Sequence, residues 1–178
     1  MSPDCMESLA QTRKAWLFFI VLGVLAVDQA TKYAIEQIIN RDFIHVLIPG
    51  LLNLVNTHNS GVAFGFLADA KSPWVAALVM FFSVGVMIFL IWLLATNRAG
   101  GRLGQIGLSL ILGGAAGNML DRVVHRSVTD FIDIHWQGHY WPAFNAADSA
   151  IVVGASLVVL ELLRDWRNAA REAGKEPS

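Results

Sequence analysis

The sequence has one cysteine, Cys5, among 178 residues, so an internal disulfide and a metal centre built from cysteines are both excluded. Charged residues are also scarce: they make up 15% of the chain, where a soluble domain usually carries about 25%. The net charge of −1 comes without a cluster of basic residues, which excludes the electrostatic footprint of a nucleic-acid-binding protein. A phosphate-binding loop, a dinucleotide fingerprint, an H-E-x-x-H motif and a Ser-His-Asp order are missing too.

Long apolar runs dominate what the sequence does contain. Hydrophobic residues make up 55% of the chain, and the mean hydropathy is +0.52. This pattern predicts an all-α membrane protein that forms one polytopic domain over residues 1–178. The predicted transmembrane helices cover about residues 15–37, 73–95, 103–120 and 145–163, and residues 164–178 form a polar tail. No A-x-A cleavage site follows the first run, so we expect that helix to be retained.

The two long connections between these spans carry structure of their own. Residues 43–48 and 51–56 are β-prone, and the Pro49-Gly50 turn between them predicts a hairpin on the membrane surface. Residues 62–67 form an apolar run that predicts a short helix lying on the bilayer.

Lysine and arginine are distributed unevenly between the two sides that four spans define. Eight of them fall in the tails and the middle turn, and five fall in the long connections and the adjoining helix ends. Because basic residues favour the cytoplasmic side, both termini are expected there and both long connections outside.

Three sets of polar residues interrupt the apolar pattern. Asp28 and Lys32 are spaced i,i+4, which favours a structural ion pair on one helix face. Asn118, Asp121 and Arg122 share one face at the end of the third span, either as a clamp between helices or as a grip on a substrate. Asn59 lies in an Asn-Ser-Gly break, where ordinary turn chemistry competes with a substrate-binding role.

Two aspartates, Asp130 and Asp148, flank an aromatic-rich stretch at the start of the fourth span. Asp148 fits a first-turn acid favoured by the helix dipole, and Asp130 fits a solvated loop acid. As a pair, they fit either a catalytic dyad or an ion path for transport. His135 and His139 raise a metal site as a further alternative, but Gly138 interrupts the helix which that spacing needs.

Five motifs in this order resemble the bacterial lipoprotein signal peptidase family, signal peptidase II. They are residues 28–32 (D-Q-A-T-K), 59–64 (N-S-G-V-A-F), 113–122 (G-G-A-A-G-N-M-L-D-R), 128–131 (V-T-D-F) and 144–149 (F-N-A-A-D-S). The resemblance covers nearly the whole chain. The departures, Val62 and Ala146, change no polar group.

The resemblance implies a bacterial inner-membrane aspartyl endopeptidase with four transmembrane helices, a small extracytoplasmic β-cradle and a short surface helix. Its substrates would be prolipoproteins carrying a diacylglyceryl-cysteine, cut just before that cysteine at the outer face of the bilayer. We expect a monomer that needs no metal or other cofactor. The implied roles are catalytic for Asp130 and Asp148, substrate-binding for Asn59, Asn118, Arg122 and Asn145, and structural for Asp28, Lys32 and Asp121.

Overall fold

The computed structural model of the chain describes residues 3–41, 43–59, 73–96 and 98–173. Within these ranges, four helices are long and apolar enough to cross a membrane. They are α1 (Pro3–Ile38), α2 (Pro73–Ala95), α3 (Arg102–His125) and α4 (Ala146–Ala173). The fold class predicted from the sequence, four transmembrane helices with a small sheet, is therefore confirmed.

Three of the helices extend beyond the spans predicted from hydropathy. The α1 helix begins at Pro3, ahead of the apolar run, and α4 continues through the polar residues after Leu163 to Ala173. Arginine and alanine, which are good helix formers, make up six of the ten residues of that polar segment, so the helix does not stop where hydropathy falls. The α3 helix ends at His125, where Arg126 adopts a left-handed conformation with φ of 60° and its N–H bonds back to Arg122.

The α3 helix packs against all three of the other helices, most extensively against α4. Gly107 of α3 and Gly154 of α4 face each other directly. A Cβ atom built on Gly107 would lie 2.6 Å from the Gly154 carbonyl oxygen, and one on Gly154 would lie 2.5 Å from the Gly107 carbonyl oxygen. The two backbones can approach this closely only because neither residue has a side chain.

A four-stranded antiparallel sheet covers one end of the helix bundle. Its strands follow the order β1 (His45–Ile48), β2 (Leu52–Asn59), β3 (Val128–Trp136) and β4 (His139–Tyr140). The hairpin of β1 and β2 was predicted, whereas β3 and β4 were not. The short helix predicted for residues 62–67 lies outside the described residues.

The sheet is held to α1 by a small apolar cluster of Ile35, Ile39 and Phe131. We call this end of the bundle, where α1 and α3 finish and α4 begins, the sheet end. The β2 and β3 strands therefore lie beside the polar residues at the ends of α1 and α3 and at the start of α4.

Replacing Gly154 with alanine is expected to lower stability by about 1–3 kcal/mol, because the new methyl group pushes α4 away from α3. Gly85→Ala on α2 is the matched control, since a Cβ atom there meets nothing within 4 Å. Thermal unfolding of both variants in detergent measures the difference. Equal melting temperatures for the two variants would show that the α3–α4 contact does not depend on Gly154.

Candidate active site

The first turn of α4 is closed by a reciprocal pair of hydrogen bonds between Asn145 and Asp148. The Asp148 backbone N–H donates to Asn145 Oδ1 at 3.0 Å, and the Asn145 backbone N–H donates to Asp148 Oδ2 at 3.3 Å. This is the geometry of a capping box, with Asn145 as the N-cap and Asp148 three residues later. The Asp148 carboxyl group is thereby held at the positive end of the α4 dipole, which favours a negative charge.

The second aspartate, Asp130, lies on β3 and is only 4% exposed. Its carboxyl group accepts a hydrogen bond from Asn145 Nδ2 at 2.7 Å and another from Asn59 Nδ2 at 3.2 Å. Strand register explains the second contact. Thr57 pairs with Asp130 in the β2–β3 ladder, and Asn59, two residues further along β2, is on the same face of the sheet.

Asn118, on α3, completes the surroundings of the two aspartates. Its Nδ2 donates to Asp148 Oδ1 at 2.8 Å, and its Oδ1 accepts from Asn145 Nδ2 at 3.2 Å. Asn145 is fully buried. Its side-chain amide donates to the Asp130 carboxyl group, and its backbone N–H donates to the Asp148 carboxyl group. Two carboxyl groups from separate elements therefore meet around one asparagine.

A buried layer of charge lies beside these residues, toward the middle of the bundle. Lys32 Nζ contacts Asp28 Oδ2 at 2.8 Å and Asp121 Oδ2 at 2.7 Å. The other oxygen of Asp28 accepts the Ala147 backbone N–H at 2.9 Å, so α1 also caps the first turn of α4. Asp28 is 0% exposed and Lys32 3%, and such burial is tolerated only because each charge has partners.

Gln29 belongs to this charged layer, although sequence reasoning assigned it no role. Its Nε2 donates to Asp121 Oδ1 at 2.9 Å and to Asp28 Oδ2 at 3.2 Å. Its i,i+3 spacing from Lys32 puts the Gln29 amide near the same helix face, which was a signal that it shared the environment of that lysine.

Thr129 on β3 and Glu36 on α1 form a second missed contact, with 2.6 Å between Thr129 Oγ1 and Glu36 Oε1. That contact depends on β3, which was not predicted as a strand.

Arg122 and Asp133 differ in their relation to the site. Arg122 Nη1 donates to the Asn118 backbone oxygen at 3.2 Å, and its charge interacts with both Asp130 and Asp148. Asp133 lies further along β3 than Asp130, where it pairs with Asn53 in the β2–β3 ladder. Its carboxyl group accepts a hydrogen bond from Asn53 Nδ2 at 2.8 Å, away from the pair of acids.

The histidines of the metal alternative lie on the β3–β4 hairpin. The His135 ring stacks on Tyr140, with 5.7 Å between the ring centroids, and its Nδ1 is 3.8 Å from Asp133. Within the described part of the chain, no three His, Cys, Asp or Glu side chains are grouped closely enough to hold a metal ion.

Burial is the main cause that raises the pKa of Asp130 from 3.8 to about 6, and the charge of nearby Asp148 acts in the same direction. The amides of Asn59 and Asn145 and the charge of Lys32 oppose the increase. Like charges at short range resist double ionisation, so one proton shared by the two acids is favoured up to a pH of about 6. Such a pair can both accept and donate a proton in one reaction.

A family model described as signal peptidase (SPase) II matches residues 20–164, most of the chain. The chain belongs to the signal peptidase II family. Family membership agrees with the resemblance found in the sequence and makes this chain a membrane-embedded protease.

Relatives of this signal peptidase II chain include the lipoprotein signal peptidase of Solibacter usitatus, 43% identical over 83% of this chain and 90% of that protein. The lipoprotein signal peptidase of Pseudomonas syringae pv. tomato is 42% identical over 91% of this chain and 94% of its own length. Among solved structures, a bacterial membrane enzyme determined by the in meso method at 2.3 Å resolution matches with a TM-score of 0.77. It is 30% identical, and the match covers 92% of this chain and 93% of that one.

The raised pKa of Asp130 predicts how the stability of this signal peptidase II chain depends on pH. Folding favours the protonated acid, so stability falls as pH rises from 3.8 through about 6, by roughly 2–3 kcal/mol. Melting temperatures in detergent between pH 4 and pH 7.5 should therefore decrease, and Asp130→Asn should flatten the decrease. An equally steep decrease in the variant would assign the pH dependence to other groups.

Proposed function

We propose that this chain is a lipoprotein signal peptidase of the bacterial inner membrane, acting on prolipoproteins whose lipobox cysteine carries diacylglycerol. It cuts the peptide bond just before that cysteine and releases the signal peptide. The observation that carries the proposal is the pair of aspartates joined through Asn145 at the sheet end. The substrate class is supported by the relatives, which are named lipoprotein signal peptidases.

In the proposed reaction, Asp148 is the base and Asp130 the acid. Asp130 is the proton donor because burial and the charge of Asp148 raise the pKa of its carboxyl group to about 6, so it holds its proton to a higher pH than an exposed aspartate does. Asp148 is the anion because it receives two N–H donors at a helix N-terminus. The two groups nevertheless titrate as one coupled pair.

The bond changes follow from these protonation states. Asp148 takes a proton from a water molecule as the water oxygen attacks the scissile carbonyl carbon, and Asp130 gives its proton to the carbonyl oxygen. Collapse of the tetrahedral intermediate breaks the carbon–nitrogen bond. The leaving nitrogen takes the proton held by Asp148, and Asp130 recovers a proton from the intermediate's hydroxyl group.

The four residues predicted to bind substrate are now given different roles. The Asn118 and Asn145 amides hold the two catalytic carboxyl groups, so we propose that they position the acids. Arg122 and Asn59, which are half-buried, remain the proposed contacts with the substrate backbone, and Asn59 also donates a hydrogen bond to Asp130. Arg122 suits this role because its guanidinium group offers several N–H donors in a fixed plane.

The location of the site fits a substrate anchored in lipid. The uneven distribution of basic residues favours a sheet end outside the cytoplasm and both termini inside it. Large apolar side chains cover the helix exteriors, as in Phe81, which is 80% exposed. The substrate's acyl chains stay in the bilayer while its cleavage site meets water at the rim. Every group proposed for the reaction comes from one chain, so we propose that a monomer is active.

Asp130→Asn and Asp148→Asn should each lower the cleavage rate by about 10²–10⁴-fold, because each removes one of the two proton-transfer groups. Asp133→Asn, on the same strand as Asp130 but hydrogen-bonded to Asn53, is the matched control and should retain activity. Gel-shift assays with a diacylglyceryl prolipoprotein and purified, monodisperse variants provide the measurement. Near wild-type cleavage by either dyad variant would refute the proposed dyad.

Chelation should leave the reaction rate unchanged, because proton transfer between two carboxyl groups and water needs no metal ion. The same gel-shift assay with and without EDTA measures this directly. Inhibition that is reversed by an added divalent cation would favour metal-assisted hydrolysis instead.

A further inference from the structure

Lys32 contacts three acceptors, and only two of them are carboxyl groups. Its Nζ donates a hydrogen bond to Asp28, forms an ion pair with Asp121, and donates a second hydrogen bond to Asn118 Oδ1 at 2.9 Å. A lysine ammonium group has three N–H bonds, and two of them are used by Asp28 and Asn118. The third contact leads directly to the proposed catalytic pair, because the same Asn118 amide bonds Asp148.

The orientation of the Asn118 amide decides what Asp148 receives. The two ends of an asparagine amide are nearly equal in size, and only their partners determine which end faces which way. Lys32 and Asn145 both donate to the Oδ1 end, so the NH₂ end faces Asp148. The reversed amide would set an oxygen against the Asp148 carboxylate and leave Lys32 without its third acceptor.

We propose that Lys32 is a positioning residue for the reaction: acting through the Asn118 amide, it fixes the hydrogen bond that keeps Asp148 in its ionised, proton-accepting state. This inference rests on the proposed roles of Asp130 and Asp148.

The remaining contacts of Asp28 and Asp121 distinguish this positioning role from simple charge pairing. Without Lys32, Asp28 keeps the Ala147 N–H and the Gln29 amide, and Asp121 keeps the Gln29 amide. Asn118 Oδ1 would keep only the longer, 3.2 Å contact from Asn145. Loss of the lysine therefore leaves the orientation of the Asn118 amide supported by one long hydrogen bond.

The charged groups that face Asp148 come from three elements. Lys32 and Asp28 approach from α1, Arg122 from α3, and Asp130 from β3. Lys32 differs from the other three groups because it also donates a hydrogen bond to the Asn118 side-chain amide, which in turn donates to Asp148.

The test uses Lys32→Met together with Asp121→Asn, so that one buried charge of each sign is removed and the protein can still fold. The expected result is a loss of kcat of about 10-fold or more, with little change in KM, because a hydrogen bond to a charged group is lost. The acidic limb of the kcat–pH profile should move upward by about one pH unit, since the ionised base is less stabilised. Asp121→Asn alone, which keeps the contact of Lys32 with Asn118, should leave that limb in place.

A double-mutant cycle with Asn118→Leu distinguishes the amide route from a direct effect of charge. If Lys32 acts through Asn118, its removal should cause no further loss of kcat once Asn118 is leucine. Additive losses in the cycle, or an unshifted acidic limb in the paired variant, would overturn the positioning role. These outcomes leave the dyad intact, whereas activity retained by Asp130→Asn or Asp148→Asn would overturn the proposed function itself.

Discussion

An ammonium group buried between membrane helices is stable only when anionic partners surround it, and Lys32 satisfies this condition with Asp28 and Asp121. One partner is on its own helix, and the other is on α3. Asp28 also accepts the N–H of Ala147, so the same cluster reaches the first turn of α4. Three helices are thereby fixed relative to one another at the depth where the two proposed catalytic acids lie.

Close packing along α3 lets these short contacts form. Gly117 faces the Asp28 carboxyl group, and a side chain at that position would take the space which the carboxyl group occupies. Further along α3, the facing glycines of α3 and α4 bring two backbones together. Hydrogen bonds of about 2.7–3.0 Å tolerate little displacement, so the polar cluster and the glycine contacts support each other.

The sequence predicted the local features well, because hydropathy and turn chemistry act over a few residues. The bounds of α2 and the hairpin around Pro49-Gly50 agree with the structure. The β3 strand was missed, although Ile132 to Trp136 alternates between apolar and polar residues. The pairing partner of β3 is distant in the chain, with Thr57 and Asp130 separated by 73 positions, so no local pattern specified the pairing.

The grouping of the polar residues was less accessible to sequence reasoning than their identity. The i,i+4 spacing of Asp28 and Lys32 indicated their pairing, since both lie on one helix. Which end of the Asn118 side-chain amide faces Asp148 depends on partners from α1 and from the start of α4, and no local sequence pattern specifies this orientation. For the same reason, the hydrogen bonds of Asn118 and Asn145 to the two acids, on which their proposed positioning role rests, became visible only in the assembled structure.

The capping box of α4 places a proposed catalytic group at a boundary of secondary structure. Asp148 is both the third residue of the helix and the partner of its N-cap. Successive residues in a helix are rotated by about 100° around its axis, so inserting or deleting one residue between Asn145 and Asp148 would turn this carboxyl group away from Asn118. The start of α4 after Asn145 and the three-residue spacing from Asn145 to Asp148 together set the direction in which the Asp148 carboxyl group points.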